Sequence, residues 1–311
     1  MTALVSLAPA LSANILLALA AAASWGGGDF SGGMGVKAAG GSTAGALRVV
    51  LIAHASSLAV LLAILSLQHA TLPHGAPLAW GLVAGVTAGI SLTAFYIALA
   101  RGAMGGSAAL SGLLAAAIPA AVSSFIEGVP TPLHVAGFAM ALAAIWLIAA
   151  GSSPEAEHAV DGSDPSESSR MTLVLALIGG VGFGIYFVAL RLANPLGVLE
   201  PMAIARSASL VTCALLLVLV RLRSVSNEQP KTKLTRMAVL WALGVALLDS
   251  GGNLLFIAAT RTGRLDIAAV LASLYPAGTI LLAAWHLHER PTRRQLTGMA
   301  IAAAAVVMIT I

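Results

Sequence analysis

Charge is scarce in this chain. Asp, Glu, Lys and Arg together make up 9% of its 311 residues, against roughly 25% in soluble domains, which excludes an ordinary water-facing surface. Cysteine is rarer still: Cys213 stands alone in an apolar run, so no internal disulfide can form and a packing role is expected. The constellations of soluble enzymes are missing too. There is no His-Glu-x-x-His helix, no phosphate-cradling glycine loop and no nucleophile paired with a base. His286 and His288 beside Glu289 are the nearest thing to a metal trio, but at the end of an apolar run they read as a solvated polar rim. No metal and no cofactor are expected.

What the chain has in abundance is apolar sequence. Hydrophobic residues make up 59% and the mean hydropathy is +0.96. A helix needs roughly 20 residues to cross a hydrocarbon core of about 30 Å, and runs of that length recur throughout. The pattern predicts spans near Asn14–Val36, Thr43–Leu67, Pro77–Ala100, Gly105–Ile126 and Leu133–Gly151. A second set follows near Met171–Ala193, Pro201–Leu222, Met237–Thr260, Asp266–His288 and Gln295–Ile311. The fold class is therefore an all-α membrane protein of about ten spans, with the lipid bilayer as its surroundings. Leu16–Ala23 resembles the apolar core of a leader peptide, but no Lys or Arg precedes it and further spans follow, so it reads as part of the first span.

One polar stretch, Ser152–Arg170, carries five acidic residues among Ser, Gly and Pro and reads as a solvated linker between residues 1–151 and 171–311. The net charge of +4 would suggest a polyanion partner in a soluble protein. Here the basic residues sit between spans, where orientation and anionic headgroups account for them, and no nucleic acid partner is expected. Lys37, Arg101, Arg221, Arg223, Lys231, Lys233, Arg236, Arg290, Arg293 and Arg294 fall on one set of loops. By the positive-inside rule that set faces the cytoplasm and both termini lie outside.

The two halves match in register. Trp25-Gly26 aligns with Phe183-Gly184 and Arg48 with Arg206, at 183−25 = 206−48 = 158. Trp80 aligns with Trp241, Phe95 with Phe256 and Gly137 with Gly298, at 241−80 = 256−95 = 298−137 = 161. Five spans per half is an odd number, so the second copy enters the bilayer from the opposite side, giving inverted repeats that commonly enclose a midplane substrate site.

Several short motifs accompany the duplication: Trp25-Gly26; Ala100-Arg101-Gly102-Ala103-Met104-Gly105; Ala272-Ser273-Leu274-Tyr275-Pro276; His288-Glu289-Arg290-Pro291-Thr292; and Gln295-Leu296-Thr297-Gly298. With these the chain resembles the drug/metabolite transporter superfamily with paired EamA-type domains, over its whole length except the linker. The turn Glu127-Gly128-Val129-Pro130 is an imperfect copy of its second-half counterpart, because Pro119 to Glu127 is shorter than Pro276 to Glu289. The resemblance implies a ten-helix transporter of small metabolites, often exporting them across a bacterial inner membrane. It leaves the solute, the coupling ion and the oligomeric state open, with proton coupling and a homodimer among the options. Better known relatives are usually drawn with both termini inside, against the charge count.

Polar residues within the spans are the candidate site. Asp249, Asn253 and Phe256 share one helical face, and a mid-bilayer carboxylate costs at least about 2.5–3.5 kcal/mol, so Asp249 should face a cavity or a partner, the alternative to a functional role being a buried structural carboxyl, neutral or paired with Arg206 or Arg191. Asp29 shares a face with Trp25 beside Gly26–Gly28. The resemblance places Trp25, Tyr96, Tyr186 and Tyr275 around a central cavity. Asp249 is expected to take a proton or a solute ammonium, Asn253 and Asp29 to hydrogen-bond the solute, and Trp25, Tyr96 and Tyr275 to shape the cavity. Pro119 and Pro276 should kink corresponding helices. Arg191, Arg48 and Arg206 lie close to span ends and read as snorkelling to the headgroups. Gly81, Gly85 and Gly89, with Gly28/Gly32 and Gly180/Gly184, carry the spacing of close helix packing. The competing function is a membrane-embedded enzyme acting on a lipid-linked substrate, which would want a charged or nucleophilic cluster at the membrane surface.

Overall fold

A computed structural model describes residues 2–68, 74–101, 104–150, 165–224, 234–287 and 292–310. Eleven α-helices run through them: α1 (Thr2–Ala38), α2 (Thr43–Leu67), α3 (Ala76–Arg101), α4 (Met104–Ile126), α5 (Pro132–Ala150), α6 (Pro165–Ala193), α7 (Leu199–Ser224), α8 (Arg236–Thr262), α9 (Leu265–Ala272), α10 (Tyr275–His286) and α11 (Arg293–Thr310). No strand occurs among the described residues. Hydrocarbon offers backbone amides no partner, so each crossing segment must satisfy its own. Among the described residues, seven segments are long and apolar enough to cross a membrane, with α9 and α10 together forming one of them. Their outward faces are oily: Phe125 is 90% exposed and Trp285 77%.

Polar side chains punctuate the helix ends. Ser42 accepts from the Gly45 amide at 3.1 Å to start α2, after a tight turn in which Gly40 and Gly41 hold φ of 85° and 68°. Thr235 caps α8 by accepting from Ala238 and donates its hydroxyl proton to Ala38 at the end of α1.

The packing is related by exchange of the two halves. α1 lies along α8 as α3 lies along α6; α2 packs on α7, and α5 on α11. Glycines mark the exchange. A Cβ at Gly137 of α5 would meet Ile309 of α11, and a Cβ at Gly298 of α11 would meet Ile148 of α5. The glycine stripe of α3 lies against α7, where Gly81, Gly85 and Gly89 meet Ile204, Ala205 and Ser209. Close backbone approach replaces the apolar association that lipid cannot drive.

Several features differ from expectation, beginning with α1, which opens at Thr2 instead of near Asn14. The span at Asp266–His288 is two helices, α9 and α10, broken at Ser273–Leu274 immediately before Tyr275-Pro276. Pro276 has no amide to offer Ala272, and the Leu274 amide turns instead to Leu271 at 3.2 Å. Pro119, by contrast, sits inside a continuous α4, so the two prolines are not matching breaks. Finally, α6 opens at Pro165, so the last residues of the polar stretch Ser152–Arg170 are helical; residues 151–164 lie outside the described residues.

Candidate functional site

Where α1 and α8 cross, the chain can draw close because glycine faces the neighbouring backbone: a Cβ on Gly28 would lie 3.2 Å from the Asp249 amide nitrogen. Gly26 approaches α10 in the same way, with its would-be Cβ 2.9 Å from both Gly278 Cα and the Tyr275 carbonyl oxygen. These crossings surround a small cavity walled by Trp25 and Asp29 of α1, Asp249 and Asn253 of α8, Tyr275 of α10, Leu92 of α3, and Phe183, Tyr186 and Phe187 of α6. Its volume for water-sized occupants is about 30 Å³, room for one or two waters.

Five of the six residues singled out from the sequence, Trp25, Asp29, Asp249, Asn253 and Tyr275, thus meet at one cavity drawn from both halves. Tyr96 does not line it. Fully buried on α3, its ring fills the space left by Gly32, and its hydroxyl finds no hydrogen-bond partner. The walls are aromatic. Trp25 stacks on Phe187 with centroids 4.9 Å apart and planes 7° apart, and meets Tyr275 edge-on at 6.4 Å. Asn253 is fixed at both ends of its amide, accepting from the Tyr186 hydroxyl at 2.8 Å and donating to the Asp249 carbonyl at 2.7 Å.

Asp249 is paired. The Arg206 guanidinium of α7 binds its carboxylate, and the same group reaches Ser250 at 3.2 Å and the His54 Nε2 of α2. His54 continues to Ser209 at 2.7 Å, and Ser250 donates to Ser57 at 2.6 Å. Arg206 is 2% exposed, so it does not snorkel to the headgroups. Its ionic partner inside the bundle offsets a desolvation that an unpaired guanidinium could not bear. His54 was not among the residues singled out, although a polar ring in the middle of an apolar span is the same kind of signal that drew attention to Asp249.

A second polar cluster lies at one membrane end, where the α4–α5 turn meets the ends of α6 and α8. Arg191 binds Glu127 through two nitrogens at 2.8 and 2.9 Å, so it too is a paired residue rather than a snorkelling one. Glu127 also accepts from the Leu265 amide and the Ser123 hydroxyl, both at 2.8 Å. Burial works against its charge, but the Leu265 amide, Arg191 and Ser123 outweigh it and hold the carboxyl below its ordinary value. Arg264 clamps the Glu127 and Gly128 carbonyls at 3.0 and 2.7 Å while pairing with buried Asp266. That pairing raises the Arg264 guanidinium above its ordinary value. The imperfect copy of the second-half turn is therefore a structural anchor. Of the would-be metal trio, His286 packs edge-on against Phe30 and Trp241, while His288 and Glu289 lie outside the described residues.

Helices of this length and oiliness define an integral membrane protein. Residues 170–311 match the model of the EamA-like transporter family, so this part of the chain is similar to an EamA-like transporter domain. A solved crystal structure, titled only as that of a protein, shares the fold at a TM-score of 0.67 and 18% identity, covering 96% of this chain and 98% of its own. No curated protein matches the chain in sequence.

Proposed function

We propose that the protein is a secondary transporter that carries a small polar metabolite, of the size of an amino acid, across a cell membrane by alternating access. The observation that carries this reading is the cavity itself: two carboxyls, an amide and an aromatic wall, buried mid-span and contributed by both halves. Packing alone gives no reason to retain such groups within a bilayer. Inverted repeats supply the motion, because exchanging the conformations of two similar halves opens the same site to the other side. Residues 1–151 and 171–311 are the two repeats in this account, joined by the acidic segment. Trp25 and Tyr275 form the wall against which the solute lies, and Asn253 and Asp29 offer it hydrogen bonds. Tyr96 supports α1 from behind through Gly32.

Reconstitution tests it. Proteoliposomes preloaded with a mixture of unlabelled amino acids and related metabolites should accumulate at least one labelled member by exchange. Asn253→Leu, which keeps the volume and removes the amide, should abolish that exchange while the purified variant elutes as a folded species. Absence of exchange for every metabolite tried, or full exchange by Asn253→Leu, defeats the proposal.

A further inference from the structure

Unpaired positive charge gathers at one end of the bundle. Successive spans alternate in direction, so the ends of α1 and α7 share one membrane face with the starts of α8 and α11. Lys37, Arg221, Arg223, Arg236, Arg293 and Arg294 stand there, all exposed, and none has an ion-pair partner among the described residues. At the opposite face the cations are engaged within the protein: Arg191 with Glu127, Arg264 with Asp266, and Arg261 with the Asn194 carbonyl.

Two of these cations sit at a seam. The Thr235 hydroxyl donates to the Ala38 carbonyl at 3.1 Å, so Lys37 of α1 and Arg236 of α8 flank a hydrogen bond that joins the first half to the second. Like charges held beside one another repel, and an anion placed between them turns repulsion into attraction. The acidic run of the sequence lies in the stretch 152–170, between α5 and α6. Those helices pack on α11, α3 and α4, so the stretch joins the bundle beside Arg293 and Arg294 of α11 and not beside the α1–α8 seam. Below Arg236 the surface turns oily. Met237, Leu240, Leu243 and Leu247 follow at spacings of three and four and are all exposed, which makes an apolar stripe down the outer face of α8. A pair of cations at the membrane face above such a stripe matches an anionic phospholipid, with its headgroup at the surface and its chain in the hydrocarbon.

We propose that an anionic phospholipid docks at the basic end of the α1–α8 seam, its phosphate bridging Lys37 and Arg236 and one acyl chain lying along Met237, Leu240, Leu243 and Leu247. The lipid then works as a clasp between the halves, on the same two helices that carry Asp29 and Asp249 to the cavity. A zwitterionic lipid brings its own ammonium and leaves the two cations unmatched; a free phosphate leaves the stripe uncovered. The inference does not depend on what the cavity carries, and it stands or falls without any measurement of flux.

The test uses the full chain in detergent micelles doped with phosphatidylglycerol or phosphatidylcholine, and reads retained lipid by mass spectrometry of the intact complex together with the thermal unfolding midpoint. Wild type should retain phosphatidylglycerol in preference to phosphatidylcholine and be stabilised by it. Lys37→Gln or Arg236→Gln should each weaken phosphatidylglycerol about fivefold, and the double variant about twenty-fivefold. Lys37→Arg, which keeps the charge, should bind as wild type does and separates loss of charge from misfolding. Arg293→Gln/Arg294→Gln removes as much charge from the same face but away from the seam, and should leave affinity near the wild-type value. The proposal is overturned if wild type shows no preference for the anionic lipid, or if Lys37→Gln/Arg236→Gln retains it fully. It is overturned equally if the α11 pair costs as much as the seam pair, which would make the attraction a property of the whole face. Stabilisation by millimolar inorganic phosphate to the same extent would show a free-anion site and refute the lipid.

Discussion

Arg206 of α7 and Asp249 of α8 form an ion pair inside the bundle, with the guanidinium side chain 2% exposed and the carboxylate side chain 11%. Through His54 and Ser57 the pair is tied to α2, so it joins the second half to the first.

Removing either partner should leave an uncompensated buried charge, which costs about 3–5 kcal/mol. Arg206→Ala and Asp249→Ala are each expected to lower the thermal unfolding midpoint sharply in detergent. The double variant Arg206→Met/Asp249→Leu, which removes both charges and keeps the volume, should recover most of the loss. A double variant no more stable than the singles would show that the pair is not what holds these helices together.

Glycine positions on α1 and α8 should respond oppositely to alanine. Gly26→Ala would drive a methyl group into the backbone of Gly278 and Tyr275, which cannot swing aside, and overpacking of this kind costs about 1–3 kcal/mol. Gly251→Ala meets nothing within 4 Å and should be neutral or slightly stabilising, since alanine is the better helix former by about 1 kcal/mol. Equal melting points for the two variants would remove the α1–α10 contact as a determinant of stability.

Acid should loosen the Glu127 anchor. Its carboxyl is held below the ordinary value, so the folded state binds its proton less readily than the unfolded chain. The resulting stabilisation is fully present above the unfolded value of about 4.3, and is lost as pH falls through the lower folded value. Glu127→Gln should therefore cost about 1–3 kcal/mol at neutral pH, with the gap to wild type closing in strong acid. A gap that is constant across the acid range would show that the charge of Glu127 does not matter.

Length and oiliness were legible in the sequence because spans must be apolar and continuous whatever packs beside them. So was the shared face of Trp25 with Asp29, and of Asp249 with Asn253, because helical periodicity alone decides it. Periodicity names a face and not the neighbour across from it. Arg206 lies only two turns into α7, where distance from the helix end suggests headgroups, yet its partner stands on α8. Tyr96 carries the same aromatic signal as Tyr275, and only the glycine opposite, Gly32, turns it away from the cavity. The fate of a proline depends likewise on its surroundings: α4 stays unbroken through Pro119 while the segment holding Pro276 divides.

A chamber with room for one or two waters excludes an amino-acid-sized guest. In the proposed alternating-access cycle this shape is a contracted one, and admitting cargo would require the helices around Trp25 and Tyr275 to part. Whatever free energy that dilation takes is drawn from the guest's contacts, so measured affinity will understate how well the open form grips, by the fraction of molecules that are open. Variants that enlarge the chamber should consequently tighten binding even where they remove contacts.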